Sequence, residues 1–326
     1  ASGTNAINAQ DLTINRDAAD ILAQKRGTNA QTLRVYDTYT DASNYGRLAL
    51  NTSLTGDWVQ VAAETAGTAG DNYGIALTPT GTGAISAHVP DSTAAGGNAR
   101  GTNAVDWQTS RSAAAQVASG FSSAILAGGG NTASGSYSVA SGESNTASAW
   151  AATVFGSTNT ASGPYSWVPG GFRASTRGLT GAYAYASNRR SAIGDAQVIG
   201  QPVRRTTTDA TPVSLATDGT PAATTVMVLP SDSTATCESI VTANSTAAGV
   251  VSMAGFRADA IVKNDSSTIT ISGGTCTAIG TADAALTTAT CALVANGTLD
   301  SIEMQVTGVA DTSVYWVAEV KCVQAL

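Results

Sequence analysis

The sequence predicts an all-β chain: a short-period parallel roll in the middle, a small β-rich module before it and a C-terminal β-sandwich after it. Three observations carry this. Residues 128 to about 185 repeat themselves at a spacing of 14 residues, the last third alternates apolar and polar residues between Gly, Asn and Asp turns, and the Gly, Ser and Thr content of the repeats argues against helix.

Written in units, the repeat reads GGGNTASGSYSVAS, GESNTASAWAATVF, GSTNTASGPYSWVP and GGFRASTRGLTGAY. Gly128, Gly142, Gly156 and Gly170 open the units, so the spacing is expected never to slip, and Asn131, Asn145 and Asn159 share one place. A unit of this length holds two short strands and two turns, too few residues for a helix pair or a propeller blade. Its small residues cannot fill a core alone, so each unit must stack on its neighbours. Glycine supplies the positive φ of tight corners. Equivalent residues of successive coils then lie about 4.8 Å apart, which would make the three asparagines a ladder of side-chain amides. Val139, Ala140, Val154, Trp167 and Val168 are the expected inner rows.

Residues 1–55 read as an N-terminal module. DAADILAQKRG has the pattern of a turn or two of helix ended by Gly27, and TLRVYDTYT alternates as a strand before a DASNYG turn. Residues 56–109 read as a β-rich linker domain with strands at DWVQVAAE and NYGIALTPT. GTNA recurs at Gly3, Gly27 and Gly101 without a common period, which marks turn chemistry. The roll is assigned to 110–190 and a neck to 191–204, with Arg173, Arg177, Arg189, Arg190, Arg204 and Arg205 gathered around it. Residues 205–326 carry strands at TPVSLATDG, TTVMVLP, GVVSMAGFRADAIVKN, STITISGG, LDSIEMQVTG and SVYWVAEVKCVQ, the spacing of a sandwich or jelly roll. In the last strand Val314, Trp316, Ala318, Val320 and Cys322 are expected to face the core.

Composition excludes several functions. Sixteen basic residues against 23 acidic ones leave a net charge of −7, with no broad basic surface for nucleic acid. No run of 18 apolar residues is present and no leader pattern opens the chain, although a processed leader or a removed Met stays open. Cys237, Cys276, Cys291 and Cys322 permit two disulfides, but a chain assembled in a reducing cytoplasm is expected to keep them as buried thiols. No cofactor motif and no metal-ligand spacing occurs. His88, the only histidine, reads as an exposed or inter-chain polar residue. The sharper alternative is three copies of it meeting on an axis.

SYSVASGESNTASA is very similar to the 14-residue head repeats of YadA-like trimeric adhesins, and the same repeats occur in bacteriophage fibres. The resemblance implies a trimeric left-handed parallel β-roll, too thin to be stable as one chain. RGTNAQTLRVYDTYTDASNYGRLAL, LTPTGTGAI and GGNARGTNAVDWQTSRSAAAQVASG resemble segments of phage tail-fibre and tailspike-like proteins, and GDAQVIGQPVRRTTTDATPVSLATDG with YWVAEV resembles a terminal knob of phage fibres.

The function this implies is a virion fibre, assembled in the host cytoplasm, joined to other tail or baseplate proteins through its N-terminus and adhering to a host glycan or protein by avidity. No nucleic acid and no membrane insertion enter this expectation. Nor does enzymatic activity, because the only acidic residue between residues 110 and 190 is Glu143. Tyr137, Trp150 and Tyr165, with Arg189 and Arg190, are the candidate glycan contacts, with packing as the competing role for the rings. A bacterial surface adhesin, a capsid-decorating head fibre and a glycan-cleaving tailspike are the rival readings. The adhesin would call for a secretion signal, stalk and anchor, which a fragment would also lack.

Overall fold

The computed structural model describes residues 13–18, 21–25, 30–52, 58–67, 73–222, 224–245 and 251–325. The chain forms two compact units, Ala1–Thr78 and Pro79–Leu326. Among the described residues the regular structure is strand, with one 3-10 turn at Ala284–Leu286 and no α-helix.

In the first unit Thr13–Ala18 and Ile21–Lys25 form an antiparallel hairpin. This corrects the helix expected over DAADILAQKRG: so short a segment forms few helical hydrogen bonds against the cost of nucleation, whereas the hairpin pairs it with the TIN stretch before it. Thr32–Asp41, Asn44–Asn51 and Gln60–Ala66 make a three-stranded antiparallel sheet. Asp41 closes its first turn by accepting the Ser43 N–H at 2.7 Å. Arg47 lies 4.0 Å above the Tyr45 ring and donates to Glu64 at 2.6 Å. No strand forms at residues 73–80, another correction; there Tyr73 donates its hydroxyl to Asp37 at 3.0 Å, a side-chain tie in place of a ladder. The GTNA copies at Gly3 and Gly27 lie outside the described residues. The one at Gly101 is a turn with Asn103 at a φ of 56°.

The second unit begins with the roll. One ladder runs in parallel through Ile85–Ser86, Val105–Asp106, Ala124–Gly129, Val139–Glu143, Thr153–Val154, Trp167–Val168 and Tyr183–Tyr185. A second, facing ladder joins Thr132–Ala133, Thr146–Ala147 and Thr160–Ala161. Between them lie rows of small apolar side chains with no solvent exposure: Ala133, Ala147 and Ala161 from one ladder, Ile125, Ala140, Val154 and Val168 from the other. Trp167 and Val139 correct the expected inner rows. Strand alternation turns them outward from Val168 and Ala140, and the Trp167 ring is 51% exposed.

The asparagine ladder forms. Each side-chain carbonyl accepts the backbone N–H of the next Asn, Asn145 to Asn131 at 3.0 Å and Asn159 to Asn145 at 2.9 Å. Buried Gln108 closes one end by accepting the Asn131 N–H at 2.9 Å, and Ala174 closes the other by donating to Asn159 at 2.7 Å. The ladder also corrects the register of the fourth coil. Gly128, Gly142 and Gly156 sit at φ values of 96°, 105° and 93°, and their partner in the next coil is Gly171 at 90°, not Gly170. One residue is therefore inserted, and the fourth coil carries Ala174 where the others carry Asn.

The last rung passes directly into the knob. Tyr183–Tyr185 pairs antiparallel with Ala196–Thr207, which pairs along its whole length with Val314–Ala325. Ser233–Ser245, Ser252–Asp265 and Thr268–Gly273 extend this sheet. A smaller sheet of Pro212–Ser214, Met227–Val228, Thr290–Asn296 and Ser301–Thr307 completes the sandwich. Trp316 fills the space between them, stacked on Phe256 at 6.1 Å, with its indole N–H donated to Thr207 at 3.0 Å. Both cysteine pairs are disulfides, Cys237–Cys322 and Cys276–Cys291, against the expected thiols. The expectation rested on compartment alone; the register sets Cys237 directly opposite Cys322 on neighbouring strands.

Candidate functional site

Each coil turns from the second ladder back to the first through a corner whose last residue has a left-handed backbone. Tyr137, Ala151, Tyr165 and Gly181 hold this place, with φ values of 59°, 51°, 57° and 66°. The N–H groups of Tyr137, Ala151, Tyr165 and Gly181 donate to the carbonyls of Phe121, Ser136, Trp150 and Pro164 in the coil before, which fixes the stacking of the corners. Rings come either from this residue or from its predecessor. The outcome is one continuous file, Phe121, Tyr137, Trp150 and Tyr165, with centroids 5.3, 5.7 and 4.7 Å apart and interplanar angles of 78°, 77° and 74°. Edge-to-face contact holds the rings against one another, while each remains at least 43% open to solvent.

The file ends because the next corner residue is Gly181. With no ring there, a cavity of about 420 Å³ opens between the roll and the knob. Tyr165, Thr180 and Gly181 line it from the roll, and Pro202, Arg204, Asp218, Tyr315 and Val317 from the knob. The site thus joins flat apolar faces to a cleft with one cationic and one anionic side chain, a combination suited to a sugar polymer bearing hydroxyl and charged groups.

Of the sequence candidates, Tyr137, Trp150 and Tyr165 come together, and Phe121 extends their file. Arg189 and Arg190 do not join them. They stand exposed on the loop before the knob, where Asp195 accepts the Arg190 N–H at 2.8 Å, and neither lines the cleft. Phe121 was missed because it precedes the first full repeat, and the knob side of the cleft had no local signal.

The other neck arginines are engaged in structure. Arg173 lies 4.2 Å from the Phe172 ring centroid, and Arg177 donates to the Gly194 carbonyl. Burial pushes the Arg177 guanidinium down to about 10, against the pull of Asp195. His88 donates Nδ1–H to the Ala95 carbonyl at 2.7 Å, which also accepts from Arg111 at 2.8 Å. Among the described residues no cluster of His, Cys, Asp or Glu has the geometry of a metal site.

No family model matches the chain, and no curated protein matches it. Three solved structures that match it are phage tailspikes. The Acinetobacter phage vB_ApiP_P1 tailspike protein is 10% identical, with 69% of this chain and 54% of that chain covered and a TM-score of 0.23. The tailspike gp49 from Acinetobacter baumannii bacteriophage Fri1, described as a capsular polysaccharide depolymerase, is 9% identical, with 68% and 47% covered and a TM-score of 0.26. The Acinetobacter baumannii phage AM24 tailspike protein is 11% identical, with 74% and 52% covered and a TM-score of 0.24. The chain spans about half the length of these structures. At such identities and TM-scores the likeness does not set the function of this chain. It does correct the expectation of a chain without enzymatic activity, because one matched tailspike is described as a depolymerase.

Proposed function

We propose that this chain is a phage tail fibre or spike protein that binds a host-surface polysaccharide along its aromatic file and in the adjoining cleft. The observation that carries this reading is the run of four exposed rings ending at the cavity beside Tyr165. Exposed rings at the pitch of the coils are costly to leave in water, and a pyranose covers such a face without needing a charge. In this reading three copies stand side by side, the N-terminal module joins the virion, and assembly takes place in the host cytoplasm. Three modest sites on one axis gain affinity from effective concentration.

Titration of the full chain with a panel of purified bacterial capsular polysaccharides, read by Trp fluorescence and by layer interferometry, tests this. Loss of one stacked ring removes about 1.4 kcal/mol, so Trp150→Ala and Tyr165→Ala should each weaken the bound polymer about tenfold. Binding that neither substitution alters would refute the site.

Cleavage of the same polymer is a second reading, favoured by one arrangement. Glu238 and Glu319 face outward on neighbouring strands, offset diagonally in the register, so that two carboxylates share one face of the knob, the pair of groups a glycosidase needs. Release of reducing ends in the same samples, absent in Glu319→Gln, would establish it. Polymer bound and left intact would remove it.

A further inference from the structure

We propose that the cleft between roll and knob selects a sugar that carries a carboxylate, with Arg204 as the residue that reads it. The inference rests on the polysaccharide reading above and names the chemical class of sugar that the cleft takes.

Acidic residues outnumber basic ones in this chain, 23 to 16, so partners for a cation are plentiful. Arg47, Arg100, Arg111, Arg257, Lys263 and Lys321 each stand in an ion pair. Arg204 does not. Among the described residues it is engaged only through its backbone: its N–H donates to the Ala216 carbonyl at 2.9 Å, its carbonyl accepts the Ala216 N–H at 3.3 Å, and on the other side the ladder sets it opposite Val317. The main chain is thus fixed on both sides, while the guanidinium, whose N–H donors form a planar fork, holds neither a carboxylate nor a carbonyl.

The surroundings say what would fill that fork. The cavity of about 420 Å³ is walled by the rings of Tyr165 and Tyr315 and by Pro202 and Val317. Against apolar walls a guanidinium gains more from an anion than it would in open water. Two carboxylates of this region are already in use. Asp218 accepts the Thr220 N–H at 2.8 Å, and Glu319, opposite Pro202 in the ladder, accepts the Tyr183 hydroxyl at 2.6 Å. Thr217, on the same wall, has a buried hydroxyl without a hydrogen-bond partner, a second polar group of the cleft that no described protein atom satisfies.

A carboxylated pyranose meets these conditions together. Its ring face lies on Tyr165 or Tyr315, its carboxylate takes the Arg204 fork as a bidentate pair, and its hydroxyls stand beside Thr217. A neutral sugar would leave the guanidinium unpaired, and an amino sugar would oppose it. One cation beside the Asp218 charge suits a singly charged carboxylate better than a doubly charged phosphate ester.

The net charge of −7 makes the inference testable by sign. Long-range repulsion disfavours an acidic polymer, so removal of its carboxylates should tighten binding unless one of them is held in the cleft. The test uses the full chain and the capsular polysaccharides of the panel, sorted by whether the repeat unit contains a uronic acid. Each uronic polymer that binds is measured again after carbodiimide activation and borohydride reduction, which turns every carboxyl into a primary alcohol on the same ring. Reduction should weaken binding about tenfold or more, Arg204→Gln should weaken the unreduced polymer by a similar factor, and the two changes combined should add little, as a pair in contact requires. Arg204→Lys keeps the charge without the fork and should recover part of the affinity. Arg189→Gln removes the same charge from the loop outside the cleft and should leave binding unchanged. Equal or tighter binding after reduction, or binding confined to neutral polymers, overturns the inference; the aromatic file stands in that case if Trp150→Ala still weakens the complex. Binding that Trp150→Ala and Tyr165→Ala leave unaltered, or a panel in which nothing binds, removes the site and the inference with it.

Discussion

Asn145 is the residue at which the roll should be most easily undone. Its side chain makes four contacts inside the coil. The carbonyl accepts the Asn159 N–H at 2.9 Å, and the amide donates to the carbonyls of Ser141 at 2.9 Å and Gly156 at 2.7 Å and to the Asn131 side chain at 3.2 Å. In Asn145→Ala the Gly156 carbonyl keeps the Glu143 N–H at 3.0 Å, but the buried Asn159 N–H and the Ser141 carbonyl lose these partners. An orphaned buried polar group costs about 1–3 kcal/mol, so the two together should remove roughly 2–6 kcal/mol. Thr146→Val, one residue away on the outward hydroxyl row, should stay within about 0.5 kcal/mol of the parent. Denaturant unfolding at a fixed protein concentration measures both, because a change in midpoint at constant slope reports stability alone. If Asn145→Ala unfolds within about 0.5 kcal/mol of the parent, the ladder is not what holds the coils in register, and the reasoning fails.

Three further outcomes are expected. Gly171→Ala should destabilise strongly, since its φ is 90° and a Cβ would sit 2.4 Å from the Ala186 carbonyl, whereas Gly170→Ala has open space; thermal scans in which both behave alike would remove the proposed one-residue insertion. Reduction of the knob should lower its melting temperature, with loops of 15 and 85 residues corresponding to about 3 and 4.6 kcal/mol in the chain-entropy model; an unchanged transition under full reduction would contradict this. Burial acts to raise the Asp195 carboxyl, but the N–H groups of Ala192, Ser191 and Arg190 outweigh it and hold the carboxyl below its ordinary 3.8. A depressed folded value stabilises above the unfolded value and is lost as pH falls through the folded one, so an acid titration below pH 4 should show a loss that Asp195→Asn lacks.

Sequence carried the roll well because its determinants are local and periodic. Asn131, Asn145 and Asn159 recur with Thr, Ala and Ser after them, and the ladder they form depends on spacing alone. The fourth coil is ambiguous in sequence because Gly170 and Gly171 are adjacent, and only the backbone angle tells which one turns the corner. The size and apolar character of Trp167 point inward, but the interior accepts nothing broader than Val168 in that coil. In the knob, STATCESIVTANS is rich in Ser and Thr and gives no clear apolar alternation in sequence, although Ser233–Ser245 alternates buried and more exposed residues along its whole length. The cleft was illegible for a different reason. Tyr165 meets Tyr315 across a large separation in sequence, and no local pattern encodes that meeting.

The join between roll and knob bears directly on how such a cleft would bind. One sheet runs without a break from the rungs through Tyr183–Tyr185 into Ala196–Thr207 and Val314–Ala325. Tyr183 reinforces it by donating its hydroxyl to Glu319 at 2.6 Å, and burial together with that carboxylate holds the phenol above its ordinary range. Gly200 makes this fit, because a Cβ there would lie 2.3 Å from the Tyr183 ring. The roll wall of the cleft, Tyr165 and Gly181, is therefore fixed to the knob wall, Pro202, Arg204, Tyr315 and Val317, by ladder hydrogen bonds and not by a linker. A polymer entering from the ring file would meet both walls already in place, so little ordering of the protein opposes binding and modest individual contacts suffice. Gly200→Ala, which forces Tyr183 off the sheet, should on this argument weaken binding in the cleft without touching any residue that lines it.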